Sequence, residues 1–316
     1  MRFPIPAALK SGPRPTVQWL AISMPSSQHT VSVKLVTATG EVDVTDNSAV
    51  AAMHPFTIRI GLDSLLPAAA RHEPAPELHL ADRELGRVIG RLRLRHVQDW
   101  NTTAARIGLF EVSGGRHYCA HWLRRTWDSW RYERAARNAP PGKSLMGPTA
   151  VEQMMVFYLR PRPVFLVSVD DGQHSNIFPM DLVGPLQPNL FTLALRNTSP
   201  SVETMKSARK VALTDLPGTA RGIAYQLGAH HRQRQVDWNS LPFKTFRSRE
   251  FSLPVAEIAL RVREVAILDS QTVGSHTLFV GRICSEQWLG QGAHLFHTSG
   301  IHQQLRIRHG RGFQEA

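Results

Sequence analysis

The stretch with the clearest capacity for chemistry is Arg196-Asn197-Thr198-Ser199-Pro200-Ser201, a hydroxyl-rich turn with one guanidinium that runs into a predicted helix, Val202 to Ala208. The first turn of a helix carries N–H groups without carbonyl partners, so a capping serine beside an arginine makes a site suited to a phosphate monoester. The same serine caps a helix whether or not an anion is present, and both readings stay open. His276 opens the later run Gly274-Ser-His-Thr-Leu-Phe-Val-Gly281, either as a ligand-facing group or as an ordinary satisfied polar residue. His230, His231, His294, His297 and His302 are not completed by carboxylates or thiolates at metal-ligand spacing, so no metal is expected. Gly142-Lys143-Ser144 has the tail of a phosphate loop, but Arg137 stands where its first glycine belongs. No Gly-x-Gly-x-x-Gly follows a predicted strand either, which argues against an integral dinucleotide-binding domain.

The elements that must position these residues are strands. Val164 to Val169 and Leu190 to Leu195 are short apolar runs bounded by Pro, Gly, Asp and Asn, the mark of buried strands. The first ends in the turn Asp170-Asp171-Gly172, after which His174 to Phe178 returns beside it. Lys210 to Thr214 reads as a strand after the helix, Ala220 to Gly228 as a helix, and Arg221 to Arg249 as a polar insertion in which six Lys or Arg face only Asp237. Ile258 to Leu268, its pattern interrupted at Arg263-Glu264, pairs with His276 to Cys284. The residues after them read as a basic tail bearing Arg306, Arg308 and Arg311.

The first half reads as a separate β-rich unit. Residues 1 to 15 are a proline-rich arm, and strands are expected at Val17–Ile22, Val31–Thr37, Glu41–Val44, Phe56–Ile60, Val88–Val97 and Arg106–Val112. Ala68 to Pro76 reads as a linker. Between His117 and Asn138, Leu123, Trp127 and Trp130 recur at helical spacing with arginines between them, which predicts a helix with the tryptophans in the core, stopped by Pro140-Pro141. Thr149 to Glu152 is a capping box for a short helix over Met154–Leu159. The expected division is therefore 1–146 for a β-rich domain of unknown role and 147–316 for the second domain.

Taken in order, the Pro163 to Ser201 stretch, Lys210 to Thr214 and Gly274 to Gly281 resemble the flavin reductase-like, FMN-binding split-barrel family, over roughly residues 150 to 302. The resemblance implies a mainly β fold with flanking helices and a C-terminal split barrel. It implies FMN as cofactor, with the ring edge along Ser175, Asn176, Ile177, Phe178, Pro179, Met180 and Asp181 and the phosphate at Arg196, Ser199 and Ser201, with Thr214 nearby. His276 matches the family's Gly-x-His histidine, which lies where a nicotinamide stacks, and is the expected catalytic residue. Pro179 lacks an N–H, and Asp181 is expected to point at the ribityl hydroxyls or at Arg196. The implied activity is NAD(P)H-dependent hydride transfer from nicotinamide C4 to flavin N5, the flavin used in place or handed to a partner oxygenase, in a homodimer.

Composition is compatible with this and with a second class. The chain has 316 residues, room for two domains, and its 37 Lys and Arg against 25 Asp and Glu give a net charge of +12, so its surface attracts anions. That favours the alternative of a non-catalytic barrel gripping a polyanion or an acidic protein; nucleic acid is compatible with the charge but is not the expected partner. Two cysteines rule out a disulfide framework and fit a reducing, cytoplasmic setting. Neither a signal peptide nor an apolar run of about 20 residues is seen, so no membrane partner is expected.

Overall fold

The computed structural model describes residues 19–25, 29–62, 76–121 and 148–316, with Leu123, Arg125, Thr126, Trp127, Trp130 and Arg134 between them. The proline-rich arm, the Ala68–Pro76 linker apart from its last residue, most of the arginine-rich helix and the Pro140 loop lie outside the described residues.

The first half begins with β1 (Trp19–Met24) and then builds a seven-stranded antiparallel sheet. Its strands are β2 (Val31–Thr37), β3 (Gly40–Asp43), β4 (Ser48–Met53), β5 (Phe56–Gly61), β6 (Glu77–Asp82), β7 (Arg87–Asn101) and β8 (Arg106–His117), in the spatial order β3-β2-β6-β7-β8-β5-β4. Helix α1 (Pro148–Phe157) leads to β9 (Arg162–Pro163) and a second seven-stranded sheet. Its strands are β10 (Phe165–Asp170), β11 (Ser175–Met180), β12 (Val183–Gln187) and β13 (Leu190–Arg196), then, after helix α2 (Ser201–Ala208), β14 (Lys210–Asp215). Helix α3 (Arg221–Gln226) and a hairpin of β15 (Thr245–Arg247) and β16 (Pro254–Ala256) precede β17 (Arg261–Val273) and β18 (His276–Trp288). The order is β11-β10-β14-β17-β18-β13-β12. β19 (His294–Ser299), helix α4 (Gly300–Arg308) and β20 (Gln314–Glu315) close the chain.

Both sheets are curled. In a flat sheet the edge strands β11 and β12 would stand roughly 29 Å apart at about 4.8 Å per strand. Here Phe178 and Met180 of β11 share one core with Val183 of β12, together with Val167, Leu193, Val211, Val265 and Phe279 from the strands between. The alternation of each strand sends one side chain in two to this interior. Pro179 and Pro185 fall on the two edge strands, where a missing N–H interrupts no ladder in the middle of the sheet. The first half repeats the arrangement around Val33, Ile58, Leu80, Leu92 and Phe110.

Several expectations change. The segment from Val151 to Leu159 packs into the core of the first sheet, and so do Ile301 and Leu305 of α4. The C-terminal residues are thus an integral strand and helix, not a basic tail: Arg306 is buried against Asp82 (2.7 Å) and Glu84 (2.7 Å). Leu123, Trp127 and Trp130 are exposed, the two indoles lying against each other at 5.2 Å instead of entering the core. The break at Arg263-Glu264 is a bulge in one continuous strand: Arg263 binds Asp215 (2.7 Å), while Glu264 accepts the amides of Glu250 and Phe251. Among the described residues, no helix is long and apolar enough to cross a membrane.

Candidate functional site

β13 delivers Arg196 to the barrel's edge beside His276, its register partner at the start of β18. The turn that follows is laced to the β17–β18 turn: the Asn197 amide donates to the Ser275 carbonyl (3.1 Å), its Nδ2 to Gly274 O (2.9 Å), and Thr277 Oγ1 donates to Asn197 Oδ1 (3.0 Å). The β4–β5 hairpin of the first half closes against the same turn. The Ser275 amide donates to His54 O (2.8 Å), the His54 amide to Ser275 Oγ (3.0 Å), and the Met53 amide to His276 Nδ1 (3.4 Å). Gly274 is required here, because its φ is +49° and a Cβ would stand 2.2 Å from His54 O.

These bonds fix the imidazole. Nδ1 accepts the Met53 N–H, which leaves the ring proton on Nε2. Burial pushes the His276 pKa down to about 4, with the Arg196 charge and then His54 adding to the shift, so the ring is neutral near pH 7. Arg196 itself is exposed and no carboxylate pairs with it among the described residues. Its charge also reaches His231, whose pKa is lowered first by burial, against a bond to the Gly228 carbonyl, and then by Arg232 and Arg196.

Helix α2 starts without a side-chain cap. Ser199 turns its hydroxyl to the His231 carbonyl, and the Ser201 hydroxyl accepts from Asn176 Nδ2 (3.1 Å). Asn176 Nδ2 also reaches the carbonyls of His230 (2.9 Å) and Gln233 (2.9 Å), while Trp238 Nε1 donates to Ser175 Oγ (2.8 Å). Residues 228–238 therefore hold the start of β11, and the structure gathers Ser175, Asn176, Ser199 and Ser201 around them. Arg196 and His276 form the adjoining group. Ile177 lies under α3 and Phe178 and Met180 in the barrel core. Thr214 is buried in the middle of the sheet opposite Leu166 and Val262, with its hydroxyl unpaired, and is not part of either group.

Asp181 points to neither Arg196 nor a solvent-filled edge. It binds Arg162 (3.0 Å) and His297 (3.1 Å); burial alone would raise its pKa, but the Arg162 charge and the His297 bond hold it well below the usual carboxylate range. It lines a cleft between the two sheets with about 1000 Å³ of empty space, its mouth included, whose charged walls include Asp46, Arg160, Arg162, Asp215, Arg261 and Arg263. Arg162 Nε and Thr30 Oγ1, both from residues lining that cleft, are buried without partners. The edge formed by β13 and the start of α2 offers an unpaired guanidinium and an uncapped helix start, groups that would suit the phosphate of a flavin mononucleotide; the cleft beside Asp181, whose lining includes neither Arg196 nor His276, offers separate orphaned atoms at Arg162 and Thr30. The contributions of Met53 and His54 carry no local sequence signal, since they come from over 200 residues away.

Residues 157–303 match the model of the flavin reductase like domain family. No curated protein matches the chain. Among solved structures, the FMN-binding protein from Thermus thermophilus is 25% identical over 40% of this chain and 72% of its own, with a TM-score of 0.37. An NADH:FAD oxidoreductase from Streptomyces globisporus is 19% identical over 51% and 95%, at 0.44. The styrene monooxygenase flavin reductase from Pseudomonas putida is 13% identical over 46% and 93%, at 0.39. The match to the family model and the curled antiparallel sheet together identify residues 157–303 as a flavin reductase-like split-barrel domain, built behind a second β-sheet unit in the same chain.

Proposed function

We propose that the chain binds FMN and reduces it with NAD(P)H. The observation that carries this reading is Arg196, an exposed guanidinium without a carboxylate, set beside an uncapped helix start and a neutral histidine in a flavin reductase-like domain. Arg196 neutralises the phosphate, the first-turn amides of α2 bind its oxygens, and Ser199 and Ser201 shape the turn. The ring edge lies along the main chain of Pro179, Met180 and Asp181, where β11 leaves the sheet. Ser175, Asn176, Ile177 and Phe178 hold that strand in place from behind, and Thr214 supports the neighbouring ladder. FMN, when bound, supplies a ring nitrogen that accepts hydride from nicotinamide C4. His276, held with its proton on Nε2 and uncharged, would orient the nicotinamide as a hydrogen-bond donor without opposing the positive charge that develops on that ring as the hydride leaves. Reduced flavin serves a partner oxygenase, in a reducing cytoplasmic setting that suits the free Cys119 and Cys284.

Anaerobic titration with FMN followed by NADH or NADPH tests this. The expected result is a flavin band that appears on binding and bleaches on addition of one of the nicotinamides. Arg196→Ala should weaken FMN binding by about 5- to 30-fold, the worth of roughly 1–2 kcal/mol for a charge-assisted contact at an exposed site. A protein that takes up no FMN refutes the proposal. The internal hydrogen bonds of Ser175, Asn176, Ser199 and Ser201 favour a second reading, a non-catalytic module for an acidic partner, marked by salt-sensitive polyanion binding without flavin uptake.

A further inference from the structure

Numbered within each half by order of appearance, the seven strands of both sheets lie in the order 2-1-5-6-7-4-3, with every ladder antiparallel. The likeness extends to particular residues. Strand 5 ends in a buried aspartate in each half, opposite the first residue of strand 1: Asp82 with Val31, and Asp215 with Phe165. Each carboxylate is held by an arginine and a histidine, Arg306 and His302 for Asp82, Arg263 and His294 for Asp215. Carried from these aspartates through the ladder registers, Phe110 corresponds to Phe279 and Ile58 to Leu193, all four in barrel interiors.

The halves also meet through corresponding strands. β4 packs on β12, each being strand 3 of its own half, and on β13 and β18. The shared core takes Ala51, Ala52, Ile107 and Leu109 from one half and Leu186, Ala194, Leu278 and Val280 from the other. A patch that packs against its own counterpart is the signature of a two-fold dimer interface, here within one chain. The same registers place Gly61 where Arg196 stands and Ile107 where His276 stands. The charged edge of the second half thus has an apolar, uncharged counterpart in the first.

We infer that the chain is a fused two-fold dimer of barrels in which the first barrel has given up ligand binding and serves as a built-in partner, its Met53–His54 hairpin walling the single mononucleotide site at Arg196 and His276. A second copy of the chain is then not needed to complete the site, unlike the homodimer that the family resemblance implies. This rests on the FMN reading for the identity of the ligand, but the pairing of the barrels does not.

Light scattering of the full chain during FMN titration separates the cases. The expected result is one FMN per chain on a species of 35.3 kDa. Two FMN per chain, or binding confined to a two-chain species, overturns the inference. Gly274→Ala, which forces the β17–β18 turn off His54, should weaken FMN binding at least tenfold, and unchanged affinity overturns the role of the hairpin. An NMR titration of His276 in Gly274→Ala needs no flavin: with the turn forced off the hairpin the ring loses burial and its pKa should rise, and an unmoved value overturns the contact. Should the wild-type chain bind no FMN while that shift occurs, the ligand assignment fails and the built-in partner stands.

Discussion

Replacing Arg306 by Met tests how the two halves are held together. Arg306 reaches from α4 to the first sheet, where Nη1 donates to Asp82 (2.7 Å), Nη2 to Glu84 (2.7 Å) and Nε to the Arg311 carbonyl (2.8 Å). Asp82 has no solvent exposure; without the arginine its remaining partners among the described residues are His302 and the amides of Glu84 and Leu85. Breaking such a buried pair costs about 3–5 kcal/mol, because the remaining charge is stranded in a poor solvent. With an unfolding entropy near 2.1 cal/mol/K per residue, the whole chain gains about 0.66 kcal/mol/K on unfolding, so the melting temperature should fall by about 5–8 °C at pH 7. Arg306→Met combined with Asp82→Asn should cost less than the two single changes added, since the stranded charge is gone. The aspartate also sets a pH signature. Burial would raise its pKa, but His302, the Leu85 amide and Arg306 outweigh this and bring it down to about 2 from 3.8. A depressed carboxylate stabilises the fold above the unfolded value and loses that contribution as pH falls through 3.8 toward 2. The loss is at most about 2 kcal/mol, and the stability gap between the wild-type chain and Asp82→Asn should narrow by that order across this range. Thermal and urea melts measure both effects. An Arg306→Met variant that melts with the wild-type chain would show that α4 does not rest on the first sheet, and would refute the reasoning.

His276 behaves in the same sense at higher pH: its folded pKa, about 4, lies below its ordinary value of 6.5, so the unfolded chain takes up the proton first. Stability should fall by about 3 kcal/mol as pH drops from 6.5 to 4, and His276→Gln should flatten that part of the stability profile, read by urea melts at several pH values. A thiol reagent applied to the native chain should modify Cys284, which is exposed, and spare Cys119, which is buried with its pKa pushed up to about 12. Mass spectrometry after brief labelling reads the result; modification of Cys119 at a similar rate would contradict its place in the core.

Much of the second sheet was legible because its strands carry their own boundaries. Phe165–Asp170 and Leu190–Arg196 pair short, nearly continuous apolar runs with turn residues at each end, and the helix after Pro200 begins where its composition says it should. The strands that escaped notice lack such marks. β4 is Ser-Ala-Val-Ala-Ala-Met, small residues whose fitness for the sheet comes from close packing on β12, and β12 contains a proline that only its edge position tolerates. Charge misled in two places for one reason. Arg306 and the Arg263-Glu264 step look solvent-facing in the sequence, and their buried partners lie tens to hundreds of residues away. At the candidate site, Arg196 and His276 stood out as types, but that they are neighbours follows from the register of β13 with β18, which no local pattern encodes.

β19 runs antiparallel between β1 and β9, so Trp19 faces Ser299 across one ladder and Arg162 faces His297 across the other. During synthesis the ribosome releases β1 long before its partner exists, and the first core lacks Ile301 and Leu305 until that helix emerges. The early half must therefore wait, incompletely covered, until β19 and α4 have been made. Shortening the chain by its final two dozen residues would cost the leading strand as much as the trailing one.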